Sequence, residues 1–369
     1  MDVPFVDLKA QYASIKDEID QAIAAVIAQT AFIGGPFVKA FDAAFARYCG
    51  VGHCIGVANG TDAITIALRT LGVGPGDEVI TAANSFIATS EAVTMAGARV
   101  VFVDIDPRTC NIDVARIEEK ITPKTKALVP VHLYGQPADM DPVRAIAKKH
   151  GLWVVGDAAQ AHGSLYKGQP IATLADITCF SFYPGKNLGA YGDGGAIVTD
   201  NAEWAAKARM LANHGRSAKY DHDIEGFNSR LDGIQAAILN VKLGHLEAWT
   251  EARRANAYRY NAMFKGSSVV TPSELDDVRA VYHLYVVRVP AGRREALQAE
   301  LKEAGIETGI HYPIALPRLN AYRYLGHAEQ DFPEAVKASG EILSLPMFAE
   351  LTAAQTALVA DRMRAFVAR

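Results

Sequence analysis

The strongest constraint on the fold is a regular alternation of short apolar runs with longer helical patterns between residues 54 and 213. The apolar runs are CIGVA (54–58), EVITA (78–82), RVVFVDI (99–105), ALVPVHLY (127–134), LWVVGD (152–157), ITCFSF (177–182) and AIVT (196–199). Several are apolar throughout, which is typical of strands covered on both faces. The segments between them, 61–71, 86–97, 113–121, 139–150 and 201–213, have helical length and spacing. This alternation predicts an α/β fold in which helices sandwich a mainly parallel, mixed sheet.

The regions on either side of this alternation extend the prediction. Apolar residues recur at helical spacing from Leu8 to Gln29, so one amphipathic helix is expected there, and Gly34-Gly35-Pro36 ends the pattern. Residues 231–264 indicate long helices, and HLYVVRV (283–289) indicates a strand. We therefore predict a large domain over residues 1–245 and a smaller C-terminal α+β domain over residues 246–369.

Composition excludes several classes of function. The net charge of -4 and the pI near 6.2 give no basic excess for binding nucleic acid or an anionic membrane. The N-terminal residues lack the layout of a signal peptide, and no apolar run approaches the roughly 18 residues of a membrane helix. Four cysteines without a CxxC pair indicate reduced thiols and a cytoplasmic protein.

Several familiar motifs are absent or misplaced. GVGPGD (72–77) precedes a strand instead of following one, so a helix end and a turn explain it better than dinucleotide binding. Lys186 is followed by Asn187, and Phe180 occupies the glycine position that a P-loop requires. The sequence has no HExxH, no His/Cys cluster at zinc spacing and no GxSxG, so we expect neither a metal site nor a serine hydrolase.

Three segments carry the chemistry, and the first is ANGTDAITIAL (58–68). A strand leads through Gly60 and Thr61 directly into a helix. Glycine permits close approach of the backbone, threonine offers a hydroxyl, and the helix start offers free N–H groups to an anion such as a phosphate. Ordinary helix capping explains the same residues equally well.

The second segment, VVGDAAQAHG (154–163), places Asp157 at the end of an apolar strand. A buried carboxylate needs a cationic or hydrogen-bonded partner, and a protonated pyridine nitrogen is such a partner. Gln160, three residues later, can reach a ring hydroxyl. The alternative is an aspartate that caps the following helix.

The third segment, SFYPGKNLGAYGDGGAIVT (181–199), holds Lys186 in a glycine-rich turn between two strands. Partial desolvation there would lower the pKa of the lysine and free an amine that can form a Schiff base. Ser181 lies near enough in sequence to add a hydrogen bond to a phosphate. A solvated, unreactive loop lysine is the alternative.

The order GT, DxxQ, SxxxxK and GDGGA resembles the DegT-type sugar-nucleotide aminotransferases, which are pyridoxal 5′-phosphate (PLP) enzymes of fold type I. The resemblance covers nearly the whole chain. Its further motifs are PFVDLKAQY (4–12), GVGPGDEVI (72–80), FIAT (86–89), VDIDP (103–107), YGQPADMD (134–141), NSRLDGIQAAIL (228–239), HYP (311–313) and SLPM (344–347).

The resemblance implies a role for each cofactor-binding position. Lys186 would be bound covalently to PLP, and Asp157 would pair with the pyridinium nitrogen. The ring hydroxyl would contact Gln160, and Phe86 would stack on the cofactor face. The phosphate would be bound by Gly60, Thr61 and Ser181. Asn228 would reach the phosphate of the neighbouring subunit, which implies an obligate homodimer with shared active sites.

Substrate contacts are implied in the same way. Arg230, His311 and Tyr312 match positions that contact the sugar nucleotide, and an arginine offers a bidentate fork to a diphosphate. Each has a structural alternative: an interface ion pair for Arg230, and packing or a turn before Pro313 for the other two. Tyr183 and His162 could line the pocket or belong to the core.

The implied reaction has two halves, with pyridoxamine 5′-phosphate (PMP) between them. L-glutamate donates the amino group, and a nucleotide-linked keto sugar receives it. FYPGKNLGAYGDGGA (182–196), NHG (213–215) and KY (219–220) are similar to enzymes that act at C3 of a TDP- or UDP-linked 3-keto sugar. Such products serve surface polysaccharides, for instance lipopolysaccharide or O-antigen, or glycosides.

Four alternatives stay open beside this interpretation. The related sugar dehydratases have a histidine at the lysine position, so Lys186 argues against them. An aminotransferase acting at C4 would share the same cofactor residues. A regulator that binds PLP without turnover is a third alternative. The fourth is a PLP enzyme acting on a free amino acid, which would not need Arg230 and His311 to hold a large anionic substrate.

Overall fold

The computed structural model describes residues 2–369, and its centre is a seven-stranded sheet. The strands of the chain are β1 (His53–Val57), β2 (Glu78–Ala82), β3 (Arg99–Val103), β4 (Thr125–Val129), β5 (Trp153–Asp157), β6 (Leu165–Tyr166), β7 (Gln169–Pro170), β8 (Ile177–Ser181), β9 (Gly195–Thr199), β10 (Val278–Arg279), β11 (Tyr285–Arg288) and β12 (Ile342–Leu345). The central order is β1-β9-β8-β5-β4-β2-β3. The pairs β3-β2, β2-β4, β4-β5 and β5-β8 are parallel, whereas β9 runs antiparallel to both β8 and β1.

Helices pack against this sheet and against one another. They are α1 (Leu8–Ser14), α2 (Lys16–Gln29), α3 (Gly35–Cys49), α4 (Gly60–Thr70), α5 (Ile87–Met95), α6 (Met140–His150), α7 (Ala202–Ala212), α8 (Gly233–Phe264), α9 (Arg294–Glu303), α10 (Pro333–Glu341) and α11 (Ala353–Val367). All seven predicted apolar runs form strands of the central sheet. The predicted α/β fold with a mainly parallel, mixed sheet is therefore confirmed.

Two of the predicted helices differ from the structure. The expected helix from Leu8 to Gln29 is broken at Ile15, which has φ -130° and ψ 21° and whose buried side chain packs with Ile19 and Ile238. Residues 113–121 form two short 3-10 segments, Val114–Arg116 and Glu118–Lys120, instead of one helix. In both places the helical spacing of the sequence predicts a longer helix than the chain forms.

One long helix connects the two main hydrophobic clusters. Ala236, Leu239 and Leu246 of α8 belong to the cluster around the central sheet. Tyr260 and Phe264 belong to a second cluster, which is built on α9, α11 and the two-stranded sheet of β11 and β12. The expected boundary between residues 245 and 246 lies within this helix, so the division into two domains stays a proposal.

Strand direction positions the candidate site. Because β1 and β8 both run antiparallel to β9, they point the same way as β5, β4 and β2. The residues that follow these strands therefore meet at one edge of the sheet, where ligands bind in open α/β folds. Between residues 2 and 369, every helix is too short or too polar to cross a bilayer.

Candidate active site

Lys186 lies in a compact loop between two neighbouring antiparallel strands. The backbone of Phe182 pairs with Gly194 at 2.7 Å, and Ala190 N donates to Phe182 O at 2.8 Å. Within the loop, Lys186 N donates to Tyr183 O at 2.8 Å. A Cβ on Gly189 would lie 2.3 Å from Pro184 O, so the fold of the loop requires glycine at that position. The loop therefore presents Lys186 at the carboxyl end of β8.

Asp157 ends β5 and is only 4% exposed. Its Oδ2 accepts a hydrogen bond from Thr89 Oγ1 at 2.7 Å, and its Oδ1 accepts one from Ala159 N at 3.1 Å. Burial raises the pKa of this carboxyl, although both hydrogen bonds and the charge of Lys186 oppose the change. Among the described residues Asp157 forms no ion pair within contact distance, so its environment has room for a cationic partner.

Lys186 and Asp157 are close enough to influence each other's charge. Burial lowers the pKa of Lys186 to about 8, and the charge of Asp157 opposes this change. An amine with that pKa exists largely in its neutral, nucleophilic form at slightly alkaline pH. The structure thus brings together the two residues on which the predicted chemistry depends.

The turn before α4 adjoins the end of β8. A Cβ on Gly60 would lie 2.7 Å from Ser181 Cβ, and a Cβ on Gly195 would lie 2.4 Å from Asn59 O. Gly60 and Thr61 form the first turn of α4, whose positive dipole end faces the edge of the sheet. Asn59 caps this helix by accepting a hydrogen bond from Asp62 N at 2.8 Å. Helix capping and a possible anion site therefore coexist in the same turn.

Gln160, Tyr312 and Phe86 form one connected group beside Asp157. Gln160 Oε1 accepts from Tyr134 N at 2.6 Å, and its Nε2 donates to the Tyr312 hydroxyl at 3.2 Å. The rings of Tyr312 and Phe86 lie 5.6 Å apart, and Phe86 is 53% exposed. Burial raises the pKa of Tyr312, and the nearby charge of Asp157 raises it further.

His311 and His162 are among the histidines that lie within the electrostatic influence of Lys186. His311 shares a 2.8 Å hydrogen bond with Ser344 Oγ, and burial lowers its pKa to about 4. His162 is fully buried, packs 5.3 Å from the Phe180 ring, and has a pKa lowered by burial to about 3. Both side chains are therefore neutral near pH 7. The packing of His162 matches the core alternative considered above.

The side chains of three expected contact residues make no hydrogen bond to this group in the single chain. Arg230 Nη1 donates to Asn213 Oδ1 at 2.8 Å, while its Nε is buried without a partner among the described residues. Asn228 is exposed, and Tyr183 is 60% exposed. Within residues 2–369, no side-chain hydrogen bond joins any of the three to Asp157, Gln160 or Lys186, and Tyr183 meets Lys186 only through its backbone carbonyl.

Sequence reasoning gave no role to Thr89 or Tyr134. Thr89 holds Asp157, and Ser85 Oγ lies 2.7 Å from its hydroxyl, so a polar chain leads to the carboxylate. Tyr134 holds Gln160 through its backbone, and its hydroxyl donates to His311 O. Both residues follow strands that end at the same edge of the sheet, and this position in the sequence could have identified them as candidate site residues.

The residues present fit PLP. The buried carboxylate of Asp157 lacks a cation in contact, which a protonated ring nitrogen would supply. The close approach of Gly60 to Ser181 forms a cradle that a side chain at residue 60 would fill, as a phosphate at a helix start requires. Lys186 would supply the amine for covalent attachment. No group of three or more His, Cys, Asp or Glu side chains in the described part of the chain could hold a metal ion.

Comparisons with known proteins point to the same chemistry. The sequence pattern of the DegT/DnrJ/EryC1/StrS aminotransferase family matches residues 13–364. A relative named "Pleiotropic regulatory protein" from Geobacillus stearothermophilus is 50% identical over 99% of this chain and 99% of its own length. The dTDP-3-amino-3,4,6-trideoxy-alpha-D-glucose transaminase of Streptomyces venezuelae is 44% identical over 100% of this chain and 97% of its own. An Acidithiobacillus ferrooxidans UDP-N-acetyl-3-dehydro-alpha-D-glucosamine 3-aminotransferase is 44% identical, covering 98% and 97%.

Solved structures show the same likeness in three dimensions. The crystal structure of S. venezuelae DesV in complex with a ketimine intermediate has a TM-score of 0.97 and 44% identity, covering 100% of this chain and 99% of that one. The structure of NtdA from Bacillus subtilis with bound cofactor PMP has a TM-score of 0.93 and 34% identity, covering 100% and 86%.

Proposed function

Since this chain belongs to the DegT/DnrJ/EryC1/StrS aminotransferase family, we propose that it transfers an amino group to C3 of a nucleotide-linked 3-keto sugar. It is a PLP-dependent aminotransferase. The nucleotide is TDP or UDP, the amino donor is L-glutamate, and the product serves the synthesis of a surface polysaccharide or glycoside. The observation that supports this proposal most directly is that Lys186 lies near the buried carboxylate of Asp157, which has no ion-pair partner in direct contact.

The residues of this chain divide the work between attachment, orientation and proton transfer. PLP, when bound, supplies an electron-accepting ring that stabilises negative charge on the substrate carbon. Asp157 would keep the ring nitrogen protonated, and Thr89 holds Asp157 in place. Nζ of Lys186 would hold the cofactor and could take the proton from the substrate carbon, because its lowered pKa makes it a base near neutral pH.

The other site residues bind and orient. Gly60, Thr61 and Ser181 would hold the phosphate, Gln160 would bind the ring hydroxyl, and Phe86 would pack against the ring. We assign Arg230, His311, Tyr312 and Tyr183 to the sugar nucleotide. The exposed side chain of Asn228 reaches the phosphate in the neighbouring subunit, so the active form is a homodimer with shared sites, and we place it in the cytoplasm.

The substrate assignment is supported by the relatives. Two of them are named as aminotransferases of 3-amino or 3-dehydro sugars, one TDP-linked and one UDP-linked, and both match almost the full chain. The relative named as a regulatory protein is the observation that favours the second candidate, PLP binding without turnover. An aminotransferase acting at C4 is the third candidate, because enzymes acting at C3 and at C4 would need the same cofactor-binding residues.

The visible spectrum of the bound cofactor tests the proposal. The purified protein should show an aldehyde-derived band that disappears with L-glutamate and returns with one member of a panel of 3-keto and 4-keto sugar nucleotides. The member that restores the band identifies the carbon that is aminated. Steady-state rates should follow ping-pong kinetics.

Two controls separate the candidates. Lys186→Ala should bind PMP but form no covalent band and catalyse no turnover; a band that survives this change contradicts the assignment of Lys186. A wild-type band that does not respond to glutamate or to other amino donors supports the regulator, and return of the band with a 4-keto sugar alone supports action at C4.

A further inference from the structure

Helix α8 carries a buried lysine that the proposed chemistry does not use. Lys242 is fully buried, and its Nζ donates to Gly189 O at 2.7 Å. The same ammonium lies 4.2 Å from the centroid of the Tyr191 ring. Glu350 is the carboxylate whose charge acts on it, but the two form no ion pair within the described residues. Its direct partners are therefore a carbonyl and an aromatic face, both uncharged.

Stability alone does not account for a lysine at this position. Removing an ammonium from water is costly when no opposite charge contacts it, and an apolar side chain of similar volume avoids that cost. Burial lowers the pKa of Lys242 to about 8, which reflects this penalty. The lysine is better explained by its contacts with Gly189 and Tyr191 than by a contribution to the stability of the core.

Both partners of Lys242 belong to the loop that carries Lys186. Gln235 lies two turns earlier on α8 and therefore on the same face of the helix. Its Oε1 accepts a hydrogen bond from Tyr191 N at 2.8 Å. Two side chains of α8 thus hold the second half of the loop at Gly189 and Tyr191.

The packing of the loop transmits this constraint to Lys186. Gly189 lies so close to Pro184 that an added Cβ would come within 2.3 Å of Pro184 O. Asn187 Nδ2, next to Lys186, donates to Val281 O at 3.0 Å. A shift of the Gly189 carbonyl therefore displaces the segment that contains Lys186.

We propose that Lys242 is a positioning residue for the reaction at Lys186. By binding the Gly189 carbonyl it sets where Nζ of Lys186 lies relative to Asp157, without contacting cofactor or substrate. The inference rests on the proposed function, because it takes Lys186 as the residue that carries the cofactor and moves the proton.

Lys242→Met tests this role, because methionine keeps the volume of the side chain but removes its donor. The measurement is the rate at which the visible band of the PLP-bound protein disappears at increasing L-glutamate. We expect the maximal rate to fall about 10-fold or more, because misplacement of a catalytic group slows chemistry more than binding. The glutamate concentration at half-maximal rate should change by less than about 2-fold, and PMP affinity should stay as in wild type.

Lys207→Met is the matched control. Lys207 Nζ donates to Thr70 O at 2.9 Å at the far end of α4, so this change also removes a bond from lysine to a carbonyl. It should leave the rate unchanged. A K242M protein that reacts as fast as wild type overturns the proposal, as does one in which only the half-saturating glutamate concentration changes.

A second variant covers the case in which K242M does not fold. Gln235→Leu removes the neighbouring contact to the same loop from a partly exposed position, and its maximal rate should also fall while PMP affinity persists. An unchanged rate in this variant overturns the proposal. Failure of the wild-type protein to form a band or to react with glutamate would instead overturn the proposed function, so the two failures are distinguishable.

Discussion

Replacing the buried carboxylate at the centre of the site should have opposite effects on cofactor binding and on the stability of the cofactor-free protein. In Asp157→Asn the shape of the side chain is kept and its charge is removed. Asparagine retains one acceptor oxygen, so at most one of the two hydrogen bonds to Thr89 and Ala159 is lost, at about 0.5–1.5 kcal/mol. Against this stands the desolvation penalty of the charge, which is several kcal/mol. Unfolding of the cofactor-free variant should therefore occur at the same or a higher temperature.

The same substitution should weaken cofactor binding. Removing one partner of a buried ion pair costs about 3–5 kcal/mol, and about 1.4 kcal/mol corresponds to a factor of ten. The affinity for PMP should fall roughly 100- to 4000-fold. PMP is the appropriate probe because it binds without a covalent bond to Lys186. Calorimetric titration gives the affinity, and thermal unfolding with and without PMP gives the stability.

The pH dependence of the free energy of unfolding tests the same reasoning independently. Because the pKa of Asp157 is raised in the folded protein, the folded state binds its proton more tightly than the unfolded state does. Stability of the cofactor-free wild type should therefore decrease as pH rises from the unfolded pKa, about 3.9, to the raised folded pKa. D157N should lack this component.

Asp176→Asn is the matched control for this experiment. Asp176 lies just before β8, at the opposite edge of the sheet; its pKa is also raised by burial, and its Oδ2 accepts from Val154 N at 2.7 Å. D176N should leave PMP affinity unchanged. The reasoning is refuted if D157N binds PMP like wild type, or if D176N weakens binding as much as D157N does.

Three further predictions address the support of the site, its pH dependence and its assembly. Thr89→Val should lower kcat about 10-fold because it frees Asp157 from the 2.7 Å hydrogen bond, and Thr89→Ser should restore most of the rate. The rate of covalent PLP attachment, followed by absorbance, should rise with pH and level off above about 8 as Lys186 loses its proton; a rate independent of pH from 6 to 9 would contradict its lowered pKa. Mixing inactive Lys186→Ala and Asn228→Ala proteins, after exchange of subunits, should yield more activity than either alone, whereas no gain would argue against shared sites.

The sequence was most informative where a strand runs directly into a polar residue. Apolar runs covered on both faces predict their strands well, and Asp157, Ser181 and Gly60 follow such runs, so their common sheet edge could be inferred before the structure was known. Lys186 could be identified because glycines and aromatic residues around it make desolvation plausible. These are local signals, and the structure reproduces the arrangement that they predict.

Other features depend on contacts that no local pattern encodes. The first helix breaks at Ile15, whose side chain packs with Ile238, far along the chain. The hydrogen bond from Thr89 to Asp157 and the contact of Lys242 with Gly189 also join distant segments. The antiparallel direction of β9 could not be read from its apolar sequence, since burial on both faces gives the same pattern in either direction.

The place of β1 at the rim of the sheet has a consequence for biogenesis. Its one neighbour in the sheet is β9, so the strand leading to Gly60 finds no partner until residues 195–199 have emerged from the ribosome. Closing so long a loop is entropically costly and slows folding. We expect the turn at Gly60, which would hold the phosphate, to be among the last parts of the large sheet to fold. Nascent chains that end before β9, at about 200 residues, should therefore not bind the cofactor.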